Sequence, residues 1–302
     1  MKNGLKYHGA VVPLVTPFTV KGDLDGPALD RLVDAMLSGG VDGIFVLGTT
    51  GEGAFVPPAV RLQLVERTVK RAGKQVKVFA GLGDIRNADV SEANAFIRAG
   101  VDAVVAHPPI AEKIPAARLL EWFKSLLDKL EGPLLIYNMP PTTGISIPLD
   151  TVEKLIGHPR LAGIKDSENN PVRLEELMKR VGGKKDFAVF VGVGALMEKG
   201  LKLGADGIVP SVGNLIPETC RQLCVAAEKS DWNEAEQLYA RMNSVAAVYQ
   251  KGRTLNESLA ALKAAVSCRG LCAPDVLPPL HALPRIEVEK IRGQMAQLQL
   301  LS

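Results

Sequence analysis

The stretch Leu161-Ala162-Gly163-Ile164-Lys165-Asp166-Ser167 is an apolar run of strand length that stops at a lysine, and the polar Glu168-Asn169-Asn170-Pro171 follows it. Burial disfavours the charged form of a lysine and can bring its amine towards neutrality. An amine tuned in this way is a nucleophile able to form a Schiff base with a carbonyl. The plain alternative is a strand-end lysine whose ammonium snorkels to water. The choice depends on what else the chain brings to that end of the strand.

Two further stretches carry reactive groups. Gly48-Thr49-Thr50-Gly51-Glu52 offers two hydroxyls and a glycine-flanked backbone whose N–H groups can cradle a small anion such as a carboxylate. A generic glycine turn is the other reading, and a P-loop is excluded because the glycine-lysine ending is missing. Tyr137 ends the run Pro133-Leu134-Leu135-Ile136-Tyr137 and precedes Asn138-Met139-Pro140-Pro141-Thr142-Thr143-Gly144. A phenol beside an amine can shuttle protons, whereas one without such a neighbour is a packed aromatic. His107, ahead of two prolines, reads as structural because nothing fixes a partner for it. Asp102 and Asp206 stand at strand starts and read as stabilising groups. No carboxylates with metal-ligand spacing stand at the ends of the runs, which disfavours a metal-dependent aldolase. Cys220/Cys224 and Cys268/Cys272 are spaced i, i+4 in helical-looking stretches. They read as buried thiols on helix faces, since neither pair has the glycine-rich knuckle of a structural zinc site.

The elements that position these groups alternate. Strand-length apolar runs occur at residues 10–15, 43–47, 76–81, 102–106, 133–137, 161–167, 187–191 and 207–210. Helical patterns fill residues 27–37, 60–72, 90–99, 116–130, 149–156, 172–181 and 195–203 between them. Continuous apolar runs suit strands buried on both faces of a parallel sheet. Eight such units predict an α/β chain, a (β/α)8 TIM barrel over 1–214, with an all-helical C-terminal extension over 215–302. A Rossmann-type sheet is the runner-up, but no glycine fingerprint follows the first run. In the extension, Asp231-Trp232-Asn233-Glu234 reads as a capping box, Leu255 to Cys268 as a helix, and Glu287 to Leu300 as the last helix. Barrel function sits at the C-terminal ends of the strands, so Thr49, Thr50, Tyr137, Lys165 and Gly192-Val193-Gly194 are expected at one mouth.

The chain has 302 residues, is 47% hydrophobic and carries a formal charge of +3, ordinary values for a globular protein. No basic run interleaved with aromatics points to nucleic acid, no apolar run is long enough to span a membrane, and Met1–Lys6 lacks the apolar core of a signal peptide. A soluble cytoplasmic protein acting on a small molecule is the expectation. An amine, a phenol, and hydroxyls with glycine amides suit iminium formation with a 2-oxo acid.

The same three motifs, in this order and at these intervals, resemble the dihydrodipicolinate synthase / N-acetylneuraminate lyase family of class I aldolases across the whole chain. The resemblance implies that Lys165 forms the imine with pyruvate or another 2-oxo acid without any cofactor or metal. It implies that Tyr137 relays protons, that Thr49 and Thr50 bind the substrate carboxylate, and that the backbone at Ile208 lines the pocket. A homotetramer built as a dimer of dimers is implied too. Dihydrodipicolinate synthases of the family usually carry an arginine where this chain has Thr142, and a pair of tyrosines where Ile110 and Ala111 stand. Sialic acid lyases usually have an acidic residue near Val193-Gly194. These departures favour a 2-oxo-acid aldolase, acting for example on 4-hydroxy-2-oxoglutarate or a 2-keto-3-deoxy sugar acid, with Thr142, Ile110 and Val193 as specificity positions. A synthase with a divergent site, a 2-oxo-acid dehydratase and a non-catalytic 2-oxo-acid-binding relative are the alternatives.

Overall fold

The computed structural model describes residues 7–83, 90–110 and 114–301. Its strands are β1 Gly9–Pro13, β2 Gly43–Val46, β3 Lys77–Gly81, β4 Ala103–Ala106, β5 Leu134–Asn138, β6 Leu161–Asp166, β7 Ala188–Val191 and β8 Gly207–Ile208. They pair in parallel and in sequence order, and β8 returns to β1 to close the barrel. Around it lie α1 Gly26–Ser38, α2 Pro58–Ala72, α3 Ser91–Ala99, α4 Ala116–Lys129, α5 Pro140–Thr143, α6 Leu149–Leu155, α7 Pro171–Val181 and α8 Met197–Lys202. The extension consists of α9 Pro217–Glu228, α10 Trp232–Gln250, α11 Leu255–Cys268 and α12 Arg285–Gln297. The chain is a (β/α)8 TIM barrel with C-terminal helices.

Both faces of the strands are buried, yet they face different layers because side chains alternate along a strand. Val11, Phe45, Phe79, Val105, Leu135, Tyr137, Phe190 and Val209 pack together inside the barrel. Val12, Ile44, Val78, Val104, Ile136, Ile164 and Val189 belong to the outer core beneath the helices. Inside, Tyr7 meets Phe79 edge-on at 5.4 Å, and Phe79 meets Phe190 at 6.3 Å between centroids. The outer core continues into the extension through Cys220, Leu223, Val245, Leu262 and Met295.

Strand β6 breaks the alternation. Leu134 pairs with Leu161, but Leu135 pairs with Gly163, so Ala162 is an extra residue. Ala162 packs inside the barrel and Ile164 outside it. Strict alternation from Ala162 would send Ile164 inward and Lys165 outward, and the bulge resets the phase. A Cβ on Gly163 would lie 2.2 Å from the Ala188 carbonyl oxygen, so only glycine lets β6 pass β7 at this point.

At the opposite face, Asp42, Asp102 and Asp206 precede β2, β4 and β8. Their carboxylates accept the backbone N–H groups of Ala10 (2.8 Å), Val78 (3.0 Å) and Val189 (2.8 Å), which tie neighbouring strand starts together. Several expected boundaries shift. β8 stops at Ile208 instead of Pro210, because proline has no N–H for the ladder and a 3-10 turn, Ser211–Asn214, takes over. Val15 leaves β1 to donate its N–H to the Asn214 side chain at 3.0 Å. Asp231 caps α10 through the Glu234 N–H, but the reciprocal box forms at Thr254 and Glu257, at the start of α11. Cys272 lies past the end of α11 rather than on its face. Among the described residues no helix is long and apolar enough to cross a membrane.

Candidate active site

Lys165 is the last inward residue of β6 and only 6% exposed. It stands in register with Tyr137 on β5 and with Phe190 on β7. Its Nζ lies 4.0 Å from the centroid of the Tyr137 ring and 4.9 Å from that of Phe45. Beneath it Val11, Phe79, Val105, Leu135, Phe190 and Val209 line a void of about 10 Å³, at the limit of what one water needs. The amine therefore sits on an apolar floor.

The threonine loop follows β2. Leu47 takes a left-handed backbone conformation (φ 58°), and so does Glu52 (φ 57°). Gly51 N–H and Gly53 N–H both donate to the Gly48 carbonyl at 3.0 Å, Glu52 N–H donates to the Thr49 carbonyl at 3.1 Å, and the Thr16 hydroxyl donates to the Gly51 carbonyl at 2.6 Å. The turned carbonyl of Leu47 fills the places where a Cβ on Gly53 (1.8 Å) or on Gly81 (2.3 Å) would sit. This tight loop presents the Thr49 hydroxyl 3.4 Å from the Tyr137 hydroxyl. Thr50 is the next residue of the turn and is half-buried.

Burial by itself would push the Tyr137 phenol up. The Lys165 ammonium and hydrogen bonds with Thr49, Ser167 and Lys165 outweigh it and hold the phenol below the usual tyrosine value. A phenol lowered in this way exchanges protons more readily near neutral pH. Ser167 closes the first of the three motifs, which gives it no role of its own. Its place two residues beyond Lys165, on the same face of an extended segment, was the available signal.

Asp166 points the other way. Its carboxylate accepts from Asn138 Nδ2 (3.0 Å), Arg173 Nε (3.1 Å) and the Glu168 N–H (2.9 Å). Asn138 Nδ2 also reaches Glu168 at 3.1 Å, and the Ser146 hydroxyl donates to Glu168 at 2.6 Å. Burial pushes the Asp166 carboxyl up, against the pull of Arg173. The network fastens the ends of β5 and β6 to α7, so Asn138, Arg173 and Asp166 hold Lys165 in place without facing it.

The remaining predicted positions are dispersed. Thr142 lies on α5, and its hydroxyl is buried with no partner among the described residues. Ile110 ends the described segment after β4, half-buried, and Ala111 lies outside the described residues. Val193 packs against the outer core, and Ile208 likewise turns its side chain outward and leaves only backbone for the pocket. His107 Nδ1 lies 2.6 Å from the Pro108 carbonyl oxygen, consistent with a structural role. A cleft of about 400 Å³ lies between the ends of β7 and β8 and α10, lined by Gly192, Gly194, Ser211, Tyr239 and Tyr249. No three His, Cys, Asp or Glu side chains among the described residues form a metal-holding group.

This geometry can be set beside known proteins. The profile of the Dihydrodipicolinate synthetase family matches residues 6–298. The chain belongs to this family. Members of the dihydrodipicolinate synthetase family are class I carbon–carbon lyases that work through a lysine Schiff base with no external cofactor or metal. Within the family, the 4-hydroxy-tetrahydrodipicolinate synthase of Pseudoalteromonas atlantica is 30% identical over 233 residues, 77% of this chain and 79% of that one. The structure of dihydrodipicolinate synthase from Bacteroides thetaiotaomicron superposes with a TM-score of 0.92 at 31% identity, covering 97% of this chain and 99% of that one. YagE from Escherichia coli K12, a prophage protein of the family solved in complex with pyruvate, gives a TM-score of 0.90 at 26% identity and covers 98% of this chain and 99% of that one. The family read from the three motifs is therefore the right one.

Proposed function

We propose that this chain cleaves a 4-hydroxy-2-oxo acid reversibly to pyruvate and an aldehyde or oxo acid such as glyoxylate, through an imine on Lys165. The observation that carries the proposal is the register pairing of Lys165 with Tyr137, with the phenol also in reach of Thr49. Thr49, Thr50 and the backbone at Ile208 receive the substrate carboxylate. The Lys165 amine adds its electron pair to C2 and forms a carbinolamine. Tyr137 then gives its proton to the departing hydroxyl, so that water leaves and the iminium forms. The resulting phenolate takes the proton of the C4 hydroxyl, the C3–C4 bond breaks, and its electron pair passes into the iminium to give an enamine. The aldehyde leaves, C3 takes up a proton, and water releases the oxo acid and restores the amine.

The buried, unpartnered Thr142 hydroxyl supports an uncharged second half of the substrate pocket, with Ile110 and Val193 as the further positions to vary. The names of the relatives favour a second reading, condensation of pyruvate with aspartate semialdehyde as in a 4-hydroxy-tetrahydrodipicolinate synthase. Pyruvate release from 4-hydroxy-2-oxo acids, measured beside condensation of aspartate semialdehyde, separates the two. Efficient condensation would overturn the lyase reading. For the site itself, borohydride with pyruvate should fix a mass adduct on Lys165, and Lys165→Ala should abolish both adduct and turnover. Tyr137→Phe should slow adduct formation by about 10²–10⁴-fold. No adduct on Lys165 with any small 2-oxo acid would refute the mechanism. We expect a cytoplasmic homotetramer in which the barrel, 1–214, carries the chemistry and the helical region, 215–302, supports it. Sedimentation of the full chain tests the assembly.

A further inference from the structure

Glu52 belongs to the threonine loop, yet its carboxylate points away from the site. It is buried and pairs with Lys263 of α11, itself 1% exposed, across 211 residues of sequence. The other carboxylate oxygen accepts the Leu277 N–H at 2.8 Å. Lys263 Nζ donates to the Asp275 carbonyl at 2.8 Å and lies 4.6 Å from the centre of the Phe18 ring. Burial draws the Lys263 ammonium below the ordinary lysine value while Glu52 pulls it back. On the other side of the same turn, Thr49 accepts the Glu52 N–H through its carbonyl and turns its hydroxyl to Tyr137. A non-glycine residue in the left-handed region is strained and persists only where its surroundings hold it there. At Glu52 the backbone is held within the loop by Thr49, Phe55 and Val56, and the side chain by the Lys263 ammonium and the Leu277 amide, both from the extension.

We propose that Lys263 is a positioning residue: the helical extension, through the buried Lys263–Glu52 pair, sets where Thr49 and Thr50 stand to receive the substrate carboxylate. The inference rests on the reading that these threonines hold that carboxylate. If the pair merely fastened the extension to the barrel, its loss would lower stability and leave 2-oxo-acid binding alone. Removing one partner leaves a buried charge uncompensated, so the loop must move to hydrate it.

The test uses the full-length protein and pyruvate, with borohydride trapping on Lys165 followed by mass across a range of pyruvate concentrations. In Lys263→Met the half-saturating pyruvate concentration should rise by about tenfold or more, as a loop displaced by a fraction of an ångström requires. Trapping at saturation should still approach the wild-type extent. Glu52→Gln keeps shape and hydrogen-bonding capacity without the charge, and should raise half-saturation less, by about threefold. Met295→Ala thins the extension at α12 without touching the loop, and should lower the melting temperature with half-saturation unchanged. Half-saturation in Lys263→Met within about twofold of wild type would overturn the proposal, as would an equal rise in Met295→Ala. If Lys263→Met does not fold, an unchanged half-saturation in Glu52→Gln overturns it in the same way. A wild-type protein that traps no pyruvate would refute the active-site reading instead, which keeps the two failures apart.

Discussion

Tyr137 is held by competing forces: burial pushes its phenol up, while the Lys165 ammonium and hydrogen bonds with Thr49, Ser167 and Lys165 itself bring it below the ordinary value. An ultraviolet titration of the folded protein should show a phenolate step that disappears in Tyr137→Phe. In Lys165→Met the same step should move to higher pH, because burial then acts without the offsetting positive charge. An unmoved step would mean that the ammonium is not the cause. Tyr7 and Tyr249 are pushed well up by burial and titrate far above this step. On the proposed reaction the sign is fixed: the phenol carries a proton when the carbinolamine loses water. Adduct formation should therefore fall as pH rises through the lowered Tyr137 value, earlier than for an ordinary tyrosine. Lysine, tyrosine and threonines were legible in the chain because each ends an apolar run. Ser167, Asn138 and Arg173 were not, because polar residues in loops and on helices look alike until their partners are known.

Among the elements, β6 shows where legibility stops. Its apolar run announces a buried strand, and the alternating helices announce a parallel barrel. Nothing in Leu161-Ala162-Gly163-Ile164 tells which residue is unpaired, since every one of the four can be buried on either face. The bulge at Ala162 decides that Lys165 enters the barrel. Gly163→Ala puts a methyl group against the Ala188 carbonyl and should cost about 1–3 kcal/mol, the usual penalty of overpacking. It should also slow trapping of pyruvate on Lys165, because relief of the clash rotates the end of the strand. Denaturant unfolding and the trapping rate check the two parts, and a variant as stable and as fast as wild type would contradict both. The capping box at Thr254 shows the same limit: Asp231-x-x-Glu and Thr254-x-x-Glu both fit the pattern, and only the second closes both hydrogen bonds.

Over the whole molecule, the division between barrel and extension is visible in the sequence as the point where strands cease, but the core does not respect it. On α9, Cys220, Leu223, Cys224 and Ala226 are buried in the core shared with the barrel. Burying a leucine-sized side chain is worth about 1.5–3 kcal/mol, against a total stability of about 5–15 kcal/mol. Losing α9 alone therefore removes a large part of the margin, and residues 1–214 produced without the extension should show no cooperative thermal transition. A sharp melt of that fragment would refute this. The Leu47 carbonyl has a different consequence, one for how new substrates could be acquired. It closes Gly53 and Gly81 to any side chain, so no inherited change at those two positions can reshape the threonine loop. By contrast, a Cβ on Gly194 meets nothing within 4 Å and would stand at the 400 Å³ cleft. Change is barred beside the threonine loop and open at the rim between β7 and α10, so descendants of this chain can gain a side chain at Gly194 and none at Gly53 or Gly81.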